Sequence, residues 1–314
     1  HVPRPRLCQR LQAGLGGRLL LVSAPAGFGK SSLAVEFCQA LPSQWGSLWL
    51  GLSQRDSDPG RFLERLLEGL QQLCPALGGQ ALGQLKKRQR HQPFAFEEWL
   101  DGLLDELAMM DLATAEGESD FPWLDLPSLA LAPLQSLSPA RQRNVLSHWL
   151  SKRGRLPDTD HWAGWESLRD ASAQGHPRWC LADGEVHRAG GRIWWLSGAW
   201  LQQVKSGIEW QDPGSPLQLP NNGQVFFVGS VPQGPLHIRY RQGGEVMQVA
   251  GRGRRDLKRL LNEAGLPSFV RGRLPLLYQD ERLLAVANLP ALAANPQAGW
   301  QLHWRPLTSD QGLS

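Results

Sequence analysis

The 314-residue chain has no apolar run near the roughly 18 residues of a membrane-spanning helix. Its longest candidates, Leu19 to Ala26 and Leu283 to Ala287, are strand-sized, so no membrane segment is expected. Cysteine is scarce. Cys8, Cys38, Cys74 and Cys180 are scattered, with no close pair to suggest a zinc site or redox motif. Free thiols in a cytoplasmic protein are the expectation. The first residue is His1 rather than Met, which leaves the start of the reading frame open. Nothing near it has the basic, apolar, small-residue order of a secretion signal. Internal repeats and low-complexity tracts are also missing.

What is present suits two or three globular domains, at about 100–200 residues each. Hydrophobic residues make up 41% and charged residues 20% of the chain. A net charge of +4 and a pI near 9.1 tilt toward an anionic partner without establishing one. Tryptophan is plentiful and uneven: 14 in all, with 11 after residue 120. That imbalance suggests that the two parts of the chain have different origins.

Residues 1–108 read as α/β. Arg18 to Ser23 has the length and apolarity of a buried strand, and Ser47 to Leu52 reads as a second. Ser31 to Leu41 follows helical spacing. Asp58–Pro59 opens another helix, Asp58 as N-cap and Pro59 at the first helical position, with Leu63, Leu66, Leu67 and Leu70 on its apolar face. Phe96 to Leu107 is a third helix. Residues 109–200 read as mostly helical, with helices from Ser138–Pro139 and over His161 to Ala173. A β-hairpin follows, turning at Gly190–Gly191. Residues 201–235, rich in Pro, Gly and Gln, read as a linker. Residues 236–314 read as a small α+β domain: a strand at His237 to Tyr240, a helix at Asp256 to Ala264, and strands near Leu276 and Leu283. The expected fold is thus multi-domain, α/β then α+β: a truncated P-loop unit, a helical middle region with a hairpin, and the C-terminal domain.

Ala24–Pro25–Ala26–Gly27–Phe28–Gly29–Lys30–Ser31 matches a phosphate-binding loop at all defined positions but one, where Ala24 replaces the usual first glycine. Gly27 and Gly29 allow a curve that points successive N–H groups at phosphate. Lys30 can reach the β- and γ-phosphates, Ser31 can ligate Mg²⁺, and the following helix offers its positive end. Gly27, Gly29, Lys30, Ser31 and Ser32 are therefore the nucleotide-binding candidates, with ATP and Mg²⁺ the expected ligands and Ser31 the metal contact through the nucleotide. Hydrolysis also needs an acidic residue at the end of a second buried strand. Leu107 to Asp111 comes nearest, but continues a helical pattern. Asp101, Asp105 and Glu106 read as the solvated face of that helix.

This segment resembles the N-terminal ATPase domain of LuxR-type transcriptional activators similar to the maltose-regulon activator. The likeness rests on Arg4 to Leu7, Val22 to Ser31, Trp49 to Leu52 and Asp56 to Phe62. Activators of that kind also carry Ala at the first loop position. In them the helix ending near Leu107 leads to an apolar strand ending in two aspartates, then to sensor repeats and a helix-turn-helix. This sequence contains none of these, so a regulator's function is not expected.

The densest positive cluster is Arg252, Arg254, Arg255, Lys258 and Arg259, followed by Arg271 and Arg273. Gly251 and Gly253 make the start read as a mobile turn entering a helix, with Arg255, Lys258 and Arg259 one turn apart on a shared face. Such a cluster can neutralise backbone phosphates with salt-sensitive affinity. It can equally be a solvated face with Asp256 and Glu263 as local partners.

Residues Gly251 to Leu261, Gly265 to Pro267, Arg271, Arg273 to Tyr278 and Leu284 to Ala287 resemble the last domain of tRNA(Ile)-lysidine synthetases. Leu137 to Arg143, Trp149–Leu150 and Arg192 to Leu196 are similar to that family's middle domain. The resemblance covers about 109 to 314 in the family's order. It implies that these domains grip tRNA while a separate N-terminal domain modifies the anticodon cytidine with lysine and ATP. It also implies that the seven basic residues are tRNA contacts. The family's catalytic loop, Ser-Gly-Gly-x-Asp-Ser, occurs nowhere in the sequence; Gly190–Gly191 and Gly243–Gly244 lack its Ser and Asp. Trp194 and Trp195 point to opposite faces of one strand, leaving one free to stack on a base or ribose. Core or inter-domain packing is expected for most of the eleven later tryptophans.

The two resemblances exchange within Leu103 to Ala108, as in a chimera joined inside a shared helical stretch. The expectation is a tRNA-binding part that forms no lysidine by itself, fused to an ATP-binding segment. A nucleotide-binding signalling ATPase fragment and a non-functional fusion are the alternatives.

Overall fold

The computed structural model describes residues 4–14, 20–42, 46–87, 95–172, 175–204 and 207–308. The chain divides into two compact units, residues 1–106 and 107–314.

Among its described residues the first unit contains helices and turns only: α1 (Pro5–Ala13), α2 (Lys30–Gln39), α3 (Pro59–Leu73), α4 (Gly79–Lys87) and the start of α5 (Phe96–Ala115). As expected, Pro59 occupies the first turn of α3 and the Asp58 carboxylate accepts the Arg61 N–H at 2.9 Å. A cap of this kind is worth about 1 kcal/mol. Leu67 meets Ala81, Leu82, Leu85 and Trp99 in a small core. There the Trp99 indole N–H donates to the Ala81 carbonyl at 3.0 Å.

The two expected strands are not formed. Leu20–Val22 and Gly46–Leu52 lie outside any sheet, while residues 18, 19 and 43–45 fall outside the described set. Leu21 is 84% exposed, and Trp49 and Leu52 are 60% and 61% exposed. A parallel strand needs neighbours to bond its backbone and helices to cover both faces. Neither run has a strand partner here, so apolar content does not become a sheet. Leu107 to Asp111 is helical as read, within an α5 that continues to Ala115.

All the described strands belong to the second unit. After α5 come β1 (Ser128–Ala130), α6 (Leu131–Ser136), α7 (Pro139–Ser151), α8 (Trp162–Asp170), β2 (Arg178–Cys180), β3 (Glu185–Ala189) and β4 (Arg192–Leu196). The four strands form one antiparallel sheet, ordered β1-β4-β3-β2. Its β3–β4 hairpin turns at Gly190 and Gly191, with φ of 58° and 70°. Two successive left-handed residues give the turn whose twist suits paired strands. The helix opened by Ser138–Pro139 buries Val145, Leu146, Trp149 and Leu150 as its spacing predicts.

The stretch read as a linker is instead built into sheets. It contains β5 (Ile208–Trp210), β6 (Leu217–Leu219) and β7 (Gly223–Gly229). Beyond it lie β8 (Leu236–Arg239), β9 (Val246–Val249), β10 (Gly253–Asp256), α9 (Leu257–Glu263), α10 (Ser268–Arg271), β11 (Leu276–Gln279), β12 (Arg282–Val286) and β13 (Trp300–Arg305). One sheet has the order β12-β11-β8-β5, another β13-β7-β6, and β9 pairs with β10 alone. Strands of three residues among prolines and glycines carry little periodic signal; their partners, not their own sequence, hold them.

Trp194 and Trp195 do point to opposite sides of β4, but neither is free. Trp194 joins the C-terminal core with Trp200, Trp304 and Leu257, and is 2% exposed. Trp195 joins the helical core with Trp149, Trp165 and Trp179, and is 3% exposed. A sheet packed on both faces buries both alternations of a strand. Nine of the eleven later tryptophans are buried, leaving Trp123 and Trp300 partly so. Core packing is thus their main use.

Candidate functional site

The basic cluster is distributed by the β9–β10 hairpin and α9. Gly251 (φ 72°) and Gly253 (φ 71°) make the tight turn between the two strands. The turn does not enter a helix directly: Arg254 and Arg255 lie in β10, opposite Gln248 and Met247. Asp256 then caps α9, its carboxylate accepting the Arg259 N–H at 3.0 Å. Leu257, Leu260 and Leu261 turn inward, so Lys258 and Arg259 face solvent.

Arg252, Arg255 and Arg259 converge on one open groove of about 560 Å³, floored by Leu260 and edged by Glu263. Lys258 is exposed on α9 but is not among the groove's lining residues. Arg254 lines a separate depression with Gln248, Arg282 and the acidic pair Asp280 and Glu281. Gln248 and Arg282 are missed by the sequence reading, because β9 and β12 meet this surface only through tertiary pairing. Glu263 does pair with Arg252, at 3.3 Å, yet both side chains are more than 60% exposed. An ion pair so open to water is worth little and yields readily to a competing phosphate.

Arg271 and Arg273 belong elsewhere. Arg271 is half-buried, donating from Nε to the Leu266 carbonyl at 2.8 Å and from Nη1 to Asn262. Burial, with Arg241 nearby, lowers its pKa. Arg273 is 7% exposed and points inward. Its guanidinium donates to the Gln202 carbonyl at 2.6 Å, the Trp200 carbonyl at 3.3 Å, the Asn222 side chain at 3.2 Å and the Asn221 carbonyl. It also sits over the Trp200 ring, 5.2 Å from the centroid. Burial pulls its pKa down to about 10. Four of its five N–H donors are thus used on acceptors inside the fold. Arg273, expected as a tRNA contact, therefore stands in the core and not on the open surface that Arg252, Arg255 and Arg259 share.

In the first unit, Gly27 (φ 83°) and Gly29 (φ 74°) give the loop at 24–31 two left-handed residues, and α2 starts at Lys30. The Lys30 ammonium folds back on its loop, donating to the Ala24 and Pro25 carbonyls at 2.6 and 2.9 Å. Arg4 closes the other side, donating from Nη1 to the Gly29 carbonyl at 2.9 Å. Ser31 and Ser32 stand exposed in the first turn of α2. Of the acidic residues singled out in α5, Glu106 accepts the Ala81 N–H at 2.8 Å, and Asp111 is buried against Arg141.

Among the described residues, no helix is long and apolar enough to cross a membrane. Residues 129–194 match the family model of the TilS substrate binding domain, and residues 236–304 that of the TilS substrate C-terminal domain. A tRNA(Ile)-lysidine synthase of Pseudomonas fluorescens (strain Pf0-1) is 62% identical over 212 residues, covering 68% of this chain and 48% of that protein. Its counterpart in Pseudomonas aeruginosa is 56% identical over 217 residues, covering 68% and 49%. That of Salmonella typhimurium is 31% identical over 248 residues, covering 71% and 54%. A solved crystal structure of the TILS C-terminal domain aligns with 31% of this chain and 97% of its own, at 26% identity and a TM-score of 0.25. The chain spans about half the length of the curated relatives it matches. Its second unit is therefore similar to the substrate-binding and C-terminal domains of tRNA(Ile)-lysidine synthases.

Proposed function

We propose that the second unit binds tRNA as part of the lysidine-forming modification named by its relatives, with Arg252, Arg255 and Arg259 as phosphate contacts. The carrying observation is the convergence of these three arginines on one open groove whose single acidic edge, Glu263, is weakly held. Spaced cations on a rigid hairpin and helix suit a polyanionic backbone better than a lone small anion. Lys258, exposed on α9, adds positive charge beside the groove, whereas Arg254 alternates with Arg255 along β10 and lines a separate depression. Changing Arg255 and Arg259 together to Glu should weaken tRNA binding at least on the order of 10-fold at moderate salt. Unchanged affinity would remove the groove from the reading.

A second reading concerns the first unit. The left-handed glycines and the Lys30 ammonium beside the loop support ATP binding at 24–31, with the exposed Ser31 as the candidate ligand for the nucleotide's Mg²⁺. The reading is of binding without turnover, because the sequence offers no acidic residue at the end of a second buried strand. ATP binding lost on Lys30→Ala supports it; binding insensitive to that change excludes it. The boundary between units, at residues 106 and 107, supports a junction of two origins within residues 103–108. Reading the source DNA across codons 95–120 in several isolates tests whether that junction is genomic.

A further inference from the structure

The β13-β7-β6 sheet buries one face and leaves the other partly open, with Phe226 and His303 half-buried at its centre and Gln218, Val228 and Arg305 exposed around them. Val225, Leu219, Leu302 and Trp304 supply the buried side. The alternate residues form rows on the open side. Gln218 pairs across with Gln224, which pairs with Arg305; Phe226 pairs with His303; Val228 pairs with Gln301. No carboxylate stands in these rows.

The chemistry of that face is specific. Phe226 and His303 lie nearly parallel, 21° apart with ring centroids at 5.7 Å. The Arg305 guanidinium carbon stands 5.7 Å from the Phe226 centroid. Arg305 is exposed and has no carboxylate partner among the described residues. The Gln218 Nε2 donates to the Gln224 Oε1 at 2.8 Å, which leaves the Gln218 carbonyl and the Gln224 NH₂ to solvent. Val228, half exposed, continues the apolar strip beside Phe226.

We propose that this face is a stacking platform for an unpaired RNA nucleotide, with Phe226 and His303 taking the base and Arg305 the adjoining phosphate. It rests on the reading of the second unit as a tRNA binder, at a surface separate from the arginine groove. An aromatic ring on an open antiparallel sheet accepts any base by its π-face, and a neighbouring cation fixes the backbone. The amides at Gln218 and Gln224 offer a donor and an acceptor to a base edge. The absence of acids in the rows makes the face complementary to a polyanion. A duplex cannot use such a platform, because its bases are already stacked on each other.

The test uses the full chain with a short single-stranded RNA carrying 2-aminopurine, and a matched RNA duplex. Stacking on Phe226 should quench the 2-aminopurine. Phe226→Leu and Arg305→Gln, each shown folded by circular dichroism, should weaken the single-stranded probe by roughly 5- to 50-fold, as loss of one base stack does. Phe226→Leu should also abolish the quench while leaving duplex affinity unchanged. Absence of quenching in the unaltered protein, or a quench that survives Phe226→Leu, overturns the platform. Arg255→Gln with Arg259→Gln separates the two readings. If those changes leave tRNA affinity intact while Phe226→Leu still abolishes the quench, the groove has failed and the platform stands.

Discussion

Arg273 and Trp200 are stacked inside the C-terminal core, the guanidinium carbon 5.2 Å from the ring centroid while its Nη1 donates to the Trp200 carbonyl. The same arginine reaches Gln202, Asn221 and Asn222, so one side chain ties β11's approach to the segments before β5 and β7. Asn222 extends the tie, its side-chain amide donating to the Tyr240 hydroxyl at 3.1 Å, while its backbone carbonyl accepts the Trp304 indole N–H at 2.6 Å. A residue in the middle of a basic sequence thus works as a structural bolt.

Replacing Arg273 with Ala strands several buried carbonyls and should cost about 2–4 kcal/mol of stability. Chemical denaturation followed by tryptophan fluorescence measures it. Unaltered stability combined with lost tRNA affinity would show instead that Arg273 touches the nucleic acid.

Gly29 holds φ at 74°, and an added Cβ would lie 2.7 Å from both Arg4 Nη atoms. Arg4 can swing aside; the backbone strain remains. Gly29→Ala should cost about 1–2 kcal/mol locally and remove ATP binding, whereas Gly51→Ala, with open space around it, should leave ATP binding intact. Titration with a fluorescent ATP analogue compares them.

The Asp56 carboxyl is held down at about 2, against an ordinary 3.8, by hydrogen bonds from the Ser53 hydroxyl and backbone N–H and by Arg65. Its folded value lies below its unfolded one, so its stabilising contribution is complete above about pH 4. That contribution is lost as pH falls through about 2. An NMR titration of Asp56 should show that low midpoint, moving toward the ordinary value in Ser53→Ala combined with Arg65→Ala. A wild-type midpoint already near the ordinary value would contradict the contacts.

Much of this was legible in sequence where the signal is local. Asp58–Pro59, Ser138–Pro139 and Gly190–Gly191 announce caps and a turn because their chemistry acts within a few residues. What escaped depends on distant partners. β7 is held by β13, over seventy residues later, so a Pro-, Gly- and Gln-rich stretch passed for a linker and hid Phe226. Arg273 looked like its neighbours Arg271 and Arg259 because charge does not reveal burial. Leu20–Val22 erred in the other direction: an apolar run looks buried whether or not a sheet exists to receive it.

The salt dependence of tRNA binding tests the central claim most directly. Each lost phosphate contact lowers the slope of log affinity against log salt by about 0.9 for a duplex backbone. Changing Arg252, Arg255 and Arg259 together to Gln should therefore flatten that slope by roughly 3, with the fold and the Arg273 network intact. A triple variant whose slope and affinity match the unaltered protein would contradict the assignment of this groove to tRNA.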